Sequence, residues 1–236
     1  MVSPLLSLKF VWRDMKDNFQ LNGFTLVRKV LAPSECENLN LQAKAIVGAS
    51  SVCTRLLLEI EWCQALAKLL RERLKLFIPS SFVAVQCTYF EKSKDYNWLV
   101  PVHQDLCIPV LEEIYAEGFG PWSRKEGELF VQAPEVVLNE LVAVRVHLEP
   151  CLEIDGPLQV VSGSHLMGVL TSEDATEIKN KRGITTCVAS IGDAIVMRPL
   201  LLHSSSKATG TSLRRVLHFL FGPAKLPNGL QWRHAV

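Results

Sequence analysis

The chain of 236 residues contains no apolar run long enough to cross a bilayer, no C-x-x-C pair, no polybasic cluster and no excess of either charge sign. The first absence removes a helical membrane span from consideration. The formal charge of +1, with basic and acidic side chains interspersed, leaves no electrostatic footprint for nucleic acid or for an anionic membrane surface. A small-molecule partner is favoured by elimination. Seven cysteines form an odd set in mostly apolar surroundings, which fits free thiols in a reducing compartment and not a disulfide framework or a zinc knuckle. The start Met1-Val2-Ser3-Pro4-Leu5-Leu6 has Lys9 and Arg13 soon after but no signal-peptide apolar segment, so a cytoplasmic location is expected.

What is present is enough apolar residue, 48% of the total, to bury one substantial core. One domain over 1–236 is expected, with a mostly helical region over 1–80 and a strand-rich core over 81–225. Gly23 to Val27 has the character of a first strand, and Ser34 followed by Glu37 is a capping-box signature for a helix reaching about Val47. Ile60, Leu66, Leu69, Leu70 and Leu74 mark the apolar stripe of a second helix over Glu59 to Phe77. From there strands are expected at Phe82–Glu91, Trp98–Pro109, Leu141–Leu148, Leu158–Val161, Thr185–Ala189, Ala194–Met197 and Arg214–Phe221, separated by turns such as Asp155-Gly156-Pro157. The fold class is mainly β with flanking helices: a double-stranded β-helix (jelly roll, cupin-like) with the N-terminal helices packed outside. The stretch 111–139 is too long for a hairpin loop, and with Tyr115, Phe119, Trp122 and Phe130 it is expected to form an ordered lid.

The chemistry is carried by His103-Gln104-Asp105 and His203. Residues i and i+2 of a strand project to one face, so His103 and Asp105 can present a nitrogen and an oxygen to one point, and a second histidine from a distant strand completes a triangle. Two imidazoles and one carboxylate on one face of an octahedral ion leave three positions free, which suits non-haem Fe(II) better than zinc. His103 and Asp105 also sit between apolar segments, where an isolated His and Asp would be costly to bury without partners. A guanidinium at the barrel mouth can grip the distal carboxylate of 2-oxoglutarate through a bidentate pair. Arg214 and Arg215 both qualify on these grounds, but neighbouring strand residues face opposite ways and only one can point inward.

Other strands supply inward polar groups. Arg145 and His147 share one face of the strand Leu141–Leu148 and are expected to line the cavity as substrate contacts, with Trp98 and Trp122. Gln86, Thr88 and Lys92 share one face of their strand; Gln86 and Lys92 are candidate cosubstrate contacts. His165, in a turn, is read as structural, and so are His218 and His234.

These residues resemble a known family. Asn97-Trp98 through His103-Gln104-Asp105-Leu106, Gly118-Phe119-Gly120-Pro121-Trp122-Ser123, Gly156-Pro157-Leu158-Gln159-Val160 through Gly163-Ser164-His165, and Arg198-Pro199-Leu200-Leu201-Leu202-His203 with Arg214-Arg215-Val216-Leu217-His218 are similar to segments of the phytanoyl-CoA dioxygenase family of Fe(II)/2-oxoglutarate oxygenases, bacterial-type members of unassigned substrate included. The resemblance implies that His103, Asp105 and His203 bind Fe(II), that Arg214 in preference to Arg215 holds 2-oxoglutarate, and that Ser205, Lys92 and Gln104 touch it. It further implies hydroxylation of a small molecule with O2, releasing succinate and carbon dioxide. Related halogenases lack the carboxylate that Asp105 provides, which points away from halogenation. Arg145 stands where tryptophan is frequent in the peroxisomal members, so a polar or anionic substrate is expected in place of a fatty acyl-CoA. Two other classes fit the same fold: a non-redox cupin-like metal enzyme, and a ligand-binding module without turnover.

Overall fold

A computed structural model describes residues 15–47, 53–55, 57–94, 96–211 and 213–236. Residues 15–22 are helical (α1) and are followed by β1 (Phe24–Val27), α2 (Pro33–Val47), β2 (Cys53–Thr54), α3 (Glu61–Arg73), β3 (Phe82–Lys92), β4 (Val100–His103), β5 (Cys107–Pro109), β6 (Trp122–Lys125), β7 (Glu128–Gln132), α4 (Glu135–Glu140), β8 (Val142–His147), β9 (Leu158–Val160), α5 (Ser172–Arg182), β10 (Thr185–Cys187), β11 (Ala194–Met197), β12 (His203–Ser205) and β13 (Arg214–Pro223). The strands form a large sheet of order β1-β11-β8-β13-β3-β2, a smaller one of order β10-β9-β12-β4, and a third of order β5-β7-β6. The paired strands run antiparallel, the arrangement expected of a jelly roll.

The large sheet has two apolar faces, and each belongs to a different core. Val142, Val144 and Val146 of β8, with Leu217, Phe219 and Phe221 of β13, face outward and pack with Cys63, Leu66, Ala67 and Leu70 of α3 and with Cys36 and Leu39 of α2. Ala143 of β8, Ile195 and Met197 of β11 and Leu220 of β13 face inward, toward Leu158 and Val160 of the smaller sheet. Period-two alternation therefore sends every second residue of β8 and β13 into the barrel. The helices lie outside it because α3 has a single apolar stripe to bury.

Several expectations need correction. The stretch 111–139, expected as an ordered lid, contains a hairpin and the start of a short helix: β6 and β7 pair around Glu126-Gly127, both at positive φ (53° and 85°), and β7 also pairs with β5. Positive φ at both central residues is what a two-residue hairpin turn requires, and Glu-Gly announces it less plainly than Asn-Gly would. The run Trp98–Pro109 is two strands, β4 and β5, in different sheets. Helix α5 was not foreseen: Ala175 is its buried residue, so it has no apolar stripe, although Thr171 caps it by accepting from the Asp174 amide and Gly183 follows it at φ 74°. Among the described residues no helix is long and apolar enough to cross a membrane.

Candidate metal and cosubstrate site

β4 and β12 are adjacent, and their register sets His203 opposite His103. The ligand atoms of His103, Asp105 and His203 lie within 4.8 Å of one another. His103 Nε2 is 3.9 Å from one Asp105 oxygen, and His203 Nε2 is 3.7 Å from the other. Each ring is fixed from behind: His103 Nδ1 lies 2.8 Å from the Pro101 carbonyl and His203 Nδ1 lies 2.8 Å from the Leu201 carbonyl. A carbonyl only accepts, so both Nδ1 atoms carry the proton and both Nε2 lone pairs point inward, the tautomer a metal ligand needs. Burial, and then His103, push the His203 pKa down to about 4, which keeps its ring neutral even against the pull of Asp105. Burial acts to raise the Asp105 pKa, but His203, His218 and His103 outweigh it and hold the carboxyl below its ordinary value. The carboxylate is therefore ionised and the His203 ring neutral, the forms a divalent cation binds.

A cavity of about 480 Å³ opens from this cluster between the two barrel sheets. Arg145 and Arg214 line it, and Lys92 stands behind the wall, bonded to the lining residue Ser205. Lys92 and Arg214 face each other across the β3–β13 pair and are 1% and 3% exposed. Lys92 Nζ donates to Ser205 Oγ at 3.1 Å and to the Ser206 carbonyl at 2.7 Å. Arg214 donates through Nη1 to the Gly156 carbonyl, while its Nε is buried without a partner. Burial, then Arg214 and Arg145, push the Lys92 pKa down to about 7. Arg145 lines the middle of the cavity, with its guanidinium 5.3 Å from the centre of the Phe90 ring. Among the described residues neither Lys92, Arg145 nor Arg214 has an ion-pair partner. Buried cations without anions are costly, and the pattern is what a dianionic ligand would complete.

The remaining expected residues divide. Trp98 lines the cavity, with Lys92 Nζ 5.4 Å from its ring. Arg215 points the other way, pairing with Glu91 at 2.8 Å and Glu149 at 3.3 Å. Gln104, expected at the cosubstrate, commits its amide to backbone: it donates to Gly168 and Leu200 and accepts from Leu170. Gln86 lies six residues from Lys92 along β3, roughly 20 Å at the rise of an extended strand, so it is far from the Lys92 and Arg214 pair. His147 is not on the cavity wall; both its ring nitrogens are buried without partners, and burial with Arg145 and Arg214 lowers its pKa to about 3. Trp122 is half-buried against the inner core and not on the wall, which takes Lys125 and Phe130 from the same hairpin.

One site residue was missed. His218 projects inward four residues after Arg214 and its Nε2 is 3.7 Å from Asp105 Oδ2. The alternation that puts Arg145 on an inward strand face would have found it, because His218 shares the face of Arg214. His165 is structural, its Nε2 3.1 Å from the Gln20 carbonyl.

A jelly-roll barrel holding two imidazoles and a carboxylate beside a cationic pocket defines a class, the metal-dependent cupin-like fold. The chain belongs to the phytanoyl-CoA dioxygenase (PhyH) family, whose model matches residues 19–216. No curated protein matches it in sequence. Among solved structures it is similar to the epimerase SnoN in complex with Fe3+, alpha ketoglutarate and nogalamycin RO, at 13% identity and a TM-score of 0.71 over 94% of this chain and 92% of that one. It is also similar to HygX from Streptomyces hygroscopicus with nickel and 2-oxoglutarate bound, at 17% identity and a TM-score of 0.62 over 89% and 87%. AviO1 from Streptomyces viridochromogenes shares 17% identity and a TM-score of 0.63 over 92% and 97%.

Proposed function

We propose that this protein is an Fe(II)- and 2-oxoglutarate-dependent dioxygenase that hydroxylates a polar or anionic small molecule and releases succinate and carbon dioxide. The observation that carries the reading is the placement of Lys92 and Arg214, deeply buried and without anionic partners, beside the cluster of His103, Asp105 and His203. The solved structures of SnoN and HygX that hold iron or nickel with the same keto-diacid support it by analogy of fold. Fe(II) with 2-oxoglutarate supplies oxygen activation coupled to decarboxylation of the keto-diacid.

The chain's own residues do the rest. His103, Asp105 and His203 hold the metal, with their rings oriented by the Pro101 and Leu201 carbonyls. Arg214 and Lys92 grip the distal carboxylate of the cosubstrate, Ser205 adds a hydroxyl beside Lys92, and Trp98 walls that end. Arg145 stands between this end and the outer cavity. The apolar wall of Ile108, Phe130, Leu141 and Leu220 limits water near the metal face where the substrate is held. Hydroxylation is proposed over halogenation because Asp105 would supply the metal with a carboxylate that related halogenases lack.

Anaerobic titration of the protein with Fe(II) and 2-oxoglutarate tests the reading. A visible metal-to-ligand charge-transfer band, followed by oxygen-dependent succinate release, is the expected result. Tight metal binding with neither a band nor 2-oxoglutarate affinity would sink it and favour a non-redox cupin-like enzyme.

A further inference from the structure

We infer that Arg145, on a wall it shares with His218, recognises a carboxylate group on the substrate, and so that the substrate is a small organic acid with an apolar body. The inference rests on the dioxygenase reading and deepens it. Its starting point is the register of the large sheet, in which Arg145 of β8 lies directly opposite His218 of β13, and His218 opposite Thr88 of β3. The row of Lys92 and Arg214 is four residues further along β13, on the order of 13 Å at the rise of an extended strand. Arg145 and His218 therefore stand level with the metal donors, as the 3.7 Å separation of His218 Nε2 from Asp105 states directly. The distal carboxylate of the cosubstrate has its own pair of cations a row away.

Charge balance points the same way. Fe(II) and 2-oxoglutarate cancel each other, which leaves Lys92, Arg145 and Arg214 facing Asp105. The cavity thus retains positive charge when fully loaded, and it still does if Lys92 is neutral. A guanidinium does not discharge itself by losing its proton in the working range of an enzyme. Arg145 is 9% exposed, its guanidinium carbon 5.3 Å from the centre of the Phe90 ring, with no ion pair among the described residues. His218 Nδ1 is buried and also lacks a partner. A carboxylate at the metal-facing wall satisfies Arg145, while His218, with Nε2 turned to Asp105 and Nδ1 shut away from the cavity, shapes the wall beside it. Beyond them the cavity is lined by Ile108, Phe130, Leu141 and Leu220, with the amides of Gln86 and Gln132, with Lys125 and with Arg55, which is paired to Glu126; this fits a short apolar body with one polar substituent.

The test uses matched probes, hexanoate against hexanamide and benzoate against benzamide, added to the Fe(II)- and 2-oxoglutarate-loaded protein without oxygen. Binding is followed by the visible band and by tryptophan fluorescence, to which Trp98 in the cavity wall contributes. Acids are expected to bind at least about 10-fold more tightly than amides, and R145Q to weaken the acids by a similar factor with 2-oxoglutarate affinity within about 3-fold of the unsubstituted protein. R145K, which keeps the charge and guards against a folding defect, is expected to restore part of the preference. The inference is overturned if acids and amides bind alike, if neither binds, or if R145Q weakens 2-oxoglutarate as R214Q does. A protein that never forms the visible band would defeat the cosubstrate reading by itself, whereas the acid preference and its dependence on Arg145 are still read by fluorescence.

Discussion

His103 and His203 are opposed across the β4–β12 pair with ring centroids 4.2 Å apart, and each places its Nδ1 2.8 Å from the carbonyl of the residue two positions before it. The same local device, used twice, turns two rings toward one point without help from any other side chain. Replacing His203 by Ala should therefore lower divalent metal affinity by about 100-fold or more, since a ligand is lost outright and not merely misaligned. The small size of Ala on a short strand should leave the circular dichroism spectrum unchanged. Calorimetric titration with Fe(II) or Co(II) measures the first effect, and undiminished affinity would remove His203 from the metal site.

Arg214 and Arg215 give opposite outcomes although they are neighbours. Arg214→Gln should weaken 2-oxoglutarate binding by about 2–5 kcal/mol, the cost of leaving a buried charge contact unmade, with metal affinity preserved. Arg215→Gln should leave 2-oxoglutarate binding intact and lower the melting temperature, because Arg215 joins Glu91 and Glu149 on the outer face. Equal effects of the two substitutions on cosubstrate binding would contradict the strand alternation on which the assignment depends.

Lys92 should make the ligand-free protein pH-dependent. Its pKa falls from 10.5 to about 7 on folding, from burial first and then from Arg214 and Arg145. The unfolded chain then binds more protons across that window, so this group opposes folding fully below the folded pKa and progressively less as pH rises above it. Lys92→Met should thus be more stable than the unsubstituted protein at about pH 6, with the gap closing toward about pH 9. Binding of 2-oxoglutarate should draw a proton onto Lys92 at about pH 8, seen as a buffer-dependent heat that Lys92→Met lacks.

Gly156 couples the backbone to the cationic pocket. It sits at φ 61°, a Cβ there would lie 2.4 Å from the Ser206 carbonyl, and its own carbonyl accepts from Arg214. The Ser206 carbonyl in turn accepts from Lys92. Gly156→Ala is expected to cost about 1–3 kcal/mol of stability from backbone strain. It should also loosen 2-oxoglutarate more than it loosens metal. Thermal melts with and without each ligand separate the two effects, and an unchanged cosubstrate shift would show that the pocket does not depend on this turn.

The metal donors were legible because their chemistry is local, although the strand expected to carry both His103 and Asp105 ends at His103: Asp105 follows in the connection to β5 and still reaches the same point, and His203 needs only an apolar lead-in and a neighbouring strand. The cores of β3, β8, β11 and β13 were legible for the same reason, alternation over six or more residues in the longer strands. What escaped had weak local signals. β12 is three polar residues, α5 lacks an apolar face, and the Glu126-Gly127 turn is a poor advertisement for a hairpin. His147 shares the inward face of Arg145, as expected, yet stays off the cavity wall; which inward residues reach open space depends on neighbours that no single strand specifies.

The sheet β5-β7-β6 keeps its ladders to itself, and the two barrel sheets that carry metal donors and cations do not run through it. Its side chains nevertheless close the outer cavity through Phe130, Gln132 and Lys125. Substitutions or changes of length in that hairpin would therefore remodel the outer wall of the cavity while leaving the strands that carry His103, His203, Lys92 and Arg214 untouched.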